Sequence, residues 1–176
     1  EITLQPIKRF DFDAAIIFSD ILMLPFGLGQ EVKFEKGLGP KLGELNLDLI
    51  ENVSKDEFIK KLNPIYKSIS NISTNSICKN KDIIGFVGAP WTILVYMINK
   101  MSPKKNLSKE IFNDKLFINK LLSIIEKFLK IHIENQIQAG ATLIQIFDSW
   151  AGLLEENIPE FIYEPTLNLV NHVKKL

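Results

Sequence analysis

Three short apolar runs, separated by helical patterns, constrain this chain more than any other feature of its sequence. The first is Asp13-Ala-Ala-Ile-Ile-Phe-Ser19, which ends at Asp20. The second is Ile83-Ile-Gly-Phe-Val-Gly88, and the third, Thr142-Leu-Ile-Gln-Ile-Phe147, ends at Asp148 and Ser149. Near-continuous apolar runs of this length suit strands covered on both faces, as in a parallel sheet.

Helical patterns lie between them. Ser54 and Glu57 have the spacing of a capping box, which starts a helix by satisfying its free N–H groups. Pro64 fits the first position of a new helix capped by Asn63, because that position needs no N–H. The longest pattern runs over residues 113–139, with Leu116, Leu121, Ile124, Ile125, Phe128, Leu129, Ile131 and Ile133 as its apolar stripe. Gly140 is placed to end it in a left-handed conformation. A last helix is expected after Pro159, running toward Lys174, and loops at residues 37–40 and 101–106. Strands alternating with helices imply βαβ units and a parallel sheet. Yet 176 residues, a one-domain length, yield only three strands. A doubly wound sheet carries about five or six, and a complete (β/α)8 barrel needs roughly 200–250 residues. The count points to part of a fold.

Composition removes several function classes. Lys and Arg number 21 against 21 Asp and Glu, so the net charge is zero. That balance lacks the positive field a nucleic acid requires. Hydrophobic residues at 46% and charged residues at 24% exclude a disordered chain. Arg9 is the sole arginine, so the chain has little means of clamping carboxylates or phosphates with planar guanidinium forks. Its one cysteine, Cys78, permits no intrachain disulfide and suits a reducing, cytoplasmic setting. Residues 83–99 carry no charge, but they fall short of the ~20 apolar residues of a membrane span and include Gly85, Gly88 and Pro90. No membrane association is expected, nor a signal peptide. His132 and His172 have no second ligand at metal spacing, so no metal is expected. No phosphate-binding glycine motif occurs.

Active sites of parallel α/β folds lie at the carboxyl ends of strands, and three places put polar residues there. Asp20 follows the first run between apolar neighbours. It reads either as a partly desolvated site carboxylate or as the cap of a short helix toward Leu24. In Gly85-Phe-Val-Gly-Ala-Pro-Trp-Thr92, Gly88 and Pro90 turn the chain sharply. Tyr96 beyond them is either a phenol at a pocket mouth or a core aromatic. Ser149, in Phe147-Asp-Ser-Trp-Ala-Gly152, is a nucleophile, a cap or a hydrogen-bond donor to a ligand.

Taken together, these blocks resemble the uroporphyrinogen decarboxylase family. The residues that carry the resemblance are Arg9 to Leu22, Leu28-Gly-Gln30, Val32 to Pro40, Gly85 to Tyr96, Gln136 to Ala141, and Ile146 to Gly152. They span nearly the whole chain in order, with Ile93 in the Gly85 block and Asn99 just beyond it as small departures from the family's pattern.

The resemblance implies a partial TIM (β/α)8 barrel, with residues 1–176 as part of one such domain. It also implies a homodimer, no cofactor, and conversion of the four acetate side chains of uroporphyrinogen III to methyls, giving coproporphyrinogen III and CO2. By position, Asp20 matches the aspartate that binds the pyrrole N–H groups. Tyr96 and Ser149 match contacts to substrate side chains, and Phe18, Phe86 and Phe147 match the apolar pocket lining. The family's arginine-rich segment and a pocket histidine have no match here, so the 176 residues are expected to be an inactive internal piece. Two alternatives are a corrinoid-linked methyltransferase of the same superfamily, with zinc ligands elsewhere, and a barrel piece with no chemistry of its own. An open half-barrel exposes edges and an apolar face, so aggregation is expected.

Overall fold

The computed structural model describes residues 1–37, 39–103 and 114–176. Its centre is a three-stranded parallel sheet in the order β1 (Ala14–Ile16), β4 (Asp82–Gly88), β5 (Leu143–Phe147). Ile16 pairs with Ile84, Ile84 with Leu143, and Gly88 with Phe147. These are the three apolar runs. The strand order runs one way with no reversal, so the sheet lacks the switch point at which doubly wound folds bind their ligands.

The helices α4 (Lys55–Ser73), α5 (Pro90–Asn99) and α6 (Lys115–Gln138) supply most of the core. Phe58, Leu62, Trp91, Leu94, Leu121, Ile125, Phe128 and Leu129 are buried together among them. The capping box forms as expected: Glu57 N–H donates to Ser54 Oγ, and Ser54 N–H to Glu57 Oε2. Asp114 caps α6 by accepting from Phe117 N–H. At its other end Gly140 takes φ +112, Gly140 N–H bonds Ile137 O and Ala141 N–H bonds Gln136 O, closing a Schellman turn. A turn of π-helix at Pro159–Tyr163 leads into α7 (Glu164–Val173).

Three expectations are corrected. Pro64 starts no new helix: it lies inside the continuous α4. It sits on the exposed face with Lys60 and Asn63, so the carbonyl that loses its N–H partner there faces water. Leu116 does not join the apolar stripe; it is 82% exposed in the first turn of α6. Part of the expected loop at 37–40 is strand, since β2 (Val32–Glu35) and β3 (Gly39–Leu42) pair as an antiparallel hairpin. Positive φ at Gly37 and Gly39 turns the chain. Residue 113 and residues 104–106, at the edges of the expected helix and second loop, lie outside the described residues. The remaining helices are α1 (Leu4–Phe10), α2 (Met23–Gly27) and α3 (Leu47–Glu51).

Alternation along the strands separates two sheet faces. Ala15, Ile17, Ile83, Gly85 and Val87 point toward the helices and are buried. Ile16, Phe18, Ile84, Phe86, Leu143 and Phe147 point the other way, and among the described residues no helix layer covers this face. Ile16 and Leu143 are each 49% exposed, and Phe18 is 75% exposed.

Candidate active site

The carboxyl ends of β1, β4 and β5 converge. Ala89 N–H donates to Phe147 O at 2.7 Å, joining the ends of β4 and β5. The loop after β1 lies over the end of β4: a Cβ on Gly88 would stand 3.3 Å from Ile21 Cβ and would overlap Ile93. Glycine is required there by close approach, not by its φ.

Asp20 sits at this junction, half-buried. Its Oδ1 accepts from Leu22 N–H at 2.7 Å, a local turn bond of the kind aspartate makes with backbone two residues on. Leu22, not Asp20, occupies the cap position of α2, so the capping reading holds only in part. Burial pushes the Asp20 carboxyl above its ordinary pKa, against the Leu22 hydrogen bond that favours the charged form. Among the described residues no lysine, arginine or histidine pairs with it. A carboxylate desolvated in this way favours incoming N–H donors or positive charge.

Phe86 and Phe147 meet edge to face, with ring centroids 5.5 Å apart, on the open sheet face. Phe18 lies on the same face, and its N–H donates to Thr3 Oγ1. Tyr96 packs edge-on against Trp150 at 5.9 Å, neither fully core nor fully at a rim. Ser149 is exposed in the turn after β5 and makes no hydrogen bond among the described residues, so it does not act as a cap. No histidine comes near it as a base: His132 is buried between α4 and α6, with Nδ1 3.0 Å from Tyr66 Oη, and His172 pairs with Glu134.

Sequence reasoning missed a relay that holds this junction together. Thr92 Oγ1 donates to Asp148 Oδ1 at 2.7 Å and accepts from Trp150 N–H at 3.0 Å. Trp91 Nε1–H adds a bond to Trp150 O. One hydroxyl thus fixes the turn carrying Ser149 against the start of α5. The only sequence signal was a threonine one turn into a helix and an aspartate ending a strand, 56 residues apart.

A groove of about 560 Å³ lies away from these strand ends, between α6 and α7. Its polar side chains largely satisfy one another, through Glu126 with Lys130 and Asn168, and Glu160 with Asn119. It is a helix–helix seam and not part of the site.

The family profile described as Uroporphyrinogen decarboxylase (URO-D) matches residues 1–176. The chain belongs to the uroporphyrinogen decarboxylase family. It is 42% identical over 177 residues to uroporphyrinogen decarboxylase from Rickettsia bellii, covering 99% of this chain and 52% of that protein. It is 40% identical over 179 residues to the Campylobacter jejuni uroporphyrinogen decarboxylase, with the same coverage. The chain therefore spans about half the length of these relatives. Among solved structures, a methyltransferase from Methanosarcina mazei superposes with a TM-score of 0.74 over 97% of this chain and 52% of that one, at 16% identity. That likeness is one of fold alone. Among the described residues no helix is long and apolar enough to cross a membrane.

Proposed function

We propose that residues 1–176 form one segment of a TIM-barrel uroporphyrinogen decarboxylase, and that the strand-end junction is its contribution to the active site. In that reading the enzyme converts the four acetate side chains of uroporphyrinogen III to methyls, releasing CO2 and forming coproporphyrinogen III without a cofactor. The observation that carries it is Asp20: a half-buried carboxylate at a strand end, held by one backbone N–H, beside an open apolar sheet face. A tetrapyrrole offers pyrrole N–H groups to such a carboxylate and apolar ring surface to Phe18, Phe86 and Phe147. Tyr96 and Ser149, each with a hydroxyl that has no partner among the described residues, face the substrate's side chains.

The chemistry follows from charge. Loss of CO2 from an acetate on a pyrrole leaves an electron pair that needs a sink. Protonation of the adjacent ring carbon makes a cationic, azafulvenium-like ring that accepts it. Asp20 orients the ring through its N–H groups and stabilises the developing cation. A fixed charge of this kind needs no reorganisation during the reaction and is a large part of catalysis in dry sites.

The substrate carries eight carboxylates, and this segment supplies little to grip them. Arg9 lies over the Phe10 ring, ahead of β1 and away from the strand ends. The isolated 176 residues are accordingly expected to form no coproporphyrinogen from uroporphyrinogen. In a chain extended to the length of its relatives, Asp20→Asn keeps the shape and removes the charge, lowering kcat on the order of 10²–10³-fold. Turnover of that variant at the wild-type rate would sink the assignment. The homodimer belongs to the same proposal, and sedimentation of the longer chain tests it. The methyltransferase alternative is not retained, because the 40–42% identities are to decarboxylases.

A further inference from the structure

The seam between β1 and β4 opens in an unusual way. The last ladder bond between them is Ile17 N–H to Ile84 O, at 3.0 Å. In a parallel pair the next two bonds would run from Phe86 N–H to Ile17 O and from Ser19 N–H to Phe86 O. Neither forms. Gln136, reaching from the last turn of α6, takes both places: Phe86 N–H donates to Gln136 Oε1 at 3.0 Å, and Gln136 Nε2 donates to Phe86 O at 3.1 Å. A primary amide offers one acceptor and donors at the spacing of a backbone peptide, so it stands in for the missing strand.

The wedge is built with care from behind the sheet. Gln136 is 2% exposed. A Cβ on Gly85 would overlap its Oε1 and would stand 3.2 Å from Ala141 Cβ, so only glycine leaves room for the amide. With the backbone of Phe86 satisfied, residues 18–20 are free to leave the sheet. They do so at once: no backbone bond continues the ladder from Ser19 to Phe86, and Ile21 lies against Gly88.

We propose that Gln136 is a positioning residue: its amide ends the β1–β4 ladder at Ile17 and thereby delivers the Asp20 carboxyl to the strand-end junction. Without the wedge, Ile17 and Ser19 can zip onto Phe86 and carry Asp20 along the strand direction, away from its half-buried seat. The catalytic meaning of that seat rests on the decarboxylase reading, but the positioning itself does not.

The test uses the chain extended to the length of its relatives, observed by NMR through labelled Asp side chains and backbone amides. Two variants are compared with wild type. Gln136→Met keeps the volume and removes both hydrogen bonds; Gln136→Asn keeps the amide but withdraws it by one methylene. The expected result in Gln136→Met is a Ser19 N–H newly bonded to Phe86 O, with amide exchange about tenfold slower than in wild type, the gain of roughly one hydrogen bond. The Asp20 carboxyl should then titrate lower, nearer an ordinary aspartate, with Gln136→Asn shifting in the same direction. Either folded variant with Asp20 titrating as in wild type overturns the proposal. Global unfolding of both variants overturns it too, since it would assign Gln136 to the core alone. None of these outcomes depends on turnover, so failure here is distinct from failure of the decarboxylase reading.

Discussion

The two faces of the central sheet come from alternate residues of the same three strands, yet they are built to opposite ends. The helix side carries Ala15, Ile17, Ile83, Gly85 and Val87, all buried. The open side carries Ile16, Phe18, Phe86, Leu143 and Phe147, as apolar as the first but largely uncovered. Side-chain chemistry alone does not distinguish them. What does is where the helices pack, and hence which face contributes to stability in this segment and which is left for something else to cover. The titratable groups divide in the same way. On the core side His132 is fully enclosed, and burial pushes its pKa down to about 4. The same burial pushes the Tyr66 phenol up. At the strand ends, burial holds the Asp20 carboxyl above its usual range.

The sharpest test of that contrast is a matched truncation. Ile83→Ala on the helix side should cost about 2–5 kcal/mol of unfolding free energy, from lost burial and a residual cavity. Ile16→Ala, on the same sheet but half exposed, should stay within about 1 kcal/mol. Urea melts of both variants measure the difference, and equal costs would break the distinction between the faces.

A second test uses pH. Burial holds the folded pKa of His132 at about 4 against an ordinary 6.5, so the unfolded chain binds the proton more readily. Stability from this residue is present above pH 6.5 and is lost as pH falls toward 4, on the order of 3 kcal/mol in all. His132→Leu should flatten that part of the stability–pH curve. Chemical denaturation at pH 7, 5.5 and 4 reads it, and an unchanged acid slope in the variant would refute the buried, neutral histidine.

The smallest effect has the opposite sign. Because the Asp20 carboxyl titrates higher in the folded chain than in the unfolded one, it stabilises the fold as pH falls and opposes it at neutral pH. Asp20→Asn should therefore raise Tm slightly at pH 7, with the gain fading in acid. A lower Tm at pH 7 would mean that the site charge contributes to holding the fold.

Much of this was legible from the sequence. The three strands were visible because covered strands are apolar throughout, and α6 because 24 residues of helical period leave little ambiguity. The Ser54–Glu57 box and Gly140 marked helix ends through local chemistry. The β2–β3 hairpin was not legible: Lys33, Glu35 and Lys41 make it a largely polar ribbon that meets the core only at the Val32–Leu42 pair, too little to impose alternation, and Pro40 reads as loop. Pro64 misled because its cost depends on whether the orphaned carbonyl meets water, which a sequence does not state. At the site, Asp20, Tyr96 and Ser149 stood out as polar residues at strand ends. Gln136 and Thr92 did not, since each acts on residues about 50 or more positions away and nothing local announces it.

The Thr92 hydroxyl sets an order of assembly during synthesis. Helices α4 and α5 and strand β4 emerge from the ribosome well before Asp148 and Trp150, both of which Thr92 must engage. Chains are made at about 5–20 residues per second, so for several seconds this threonine sits on a nascent helix with its partners unmade. The junction carrying Asp20 therefore closes late, after most of its scaffold has been made.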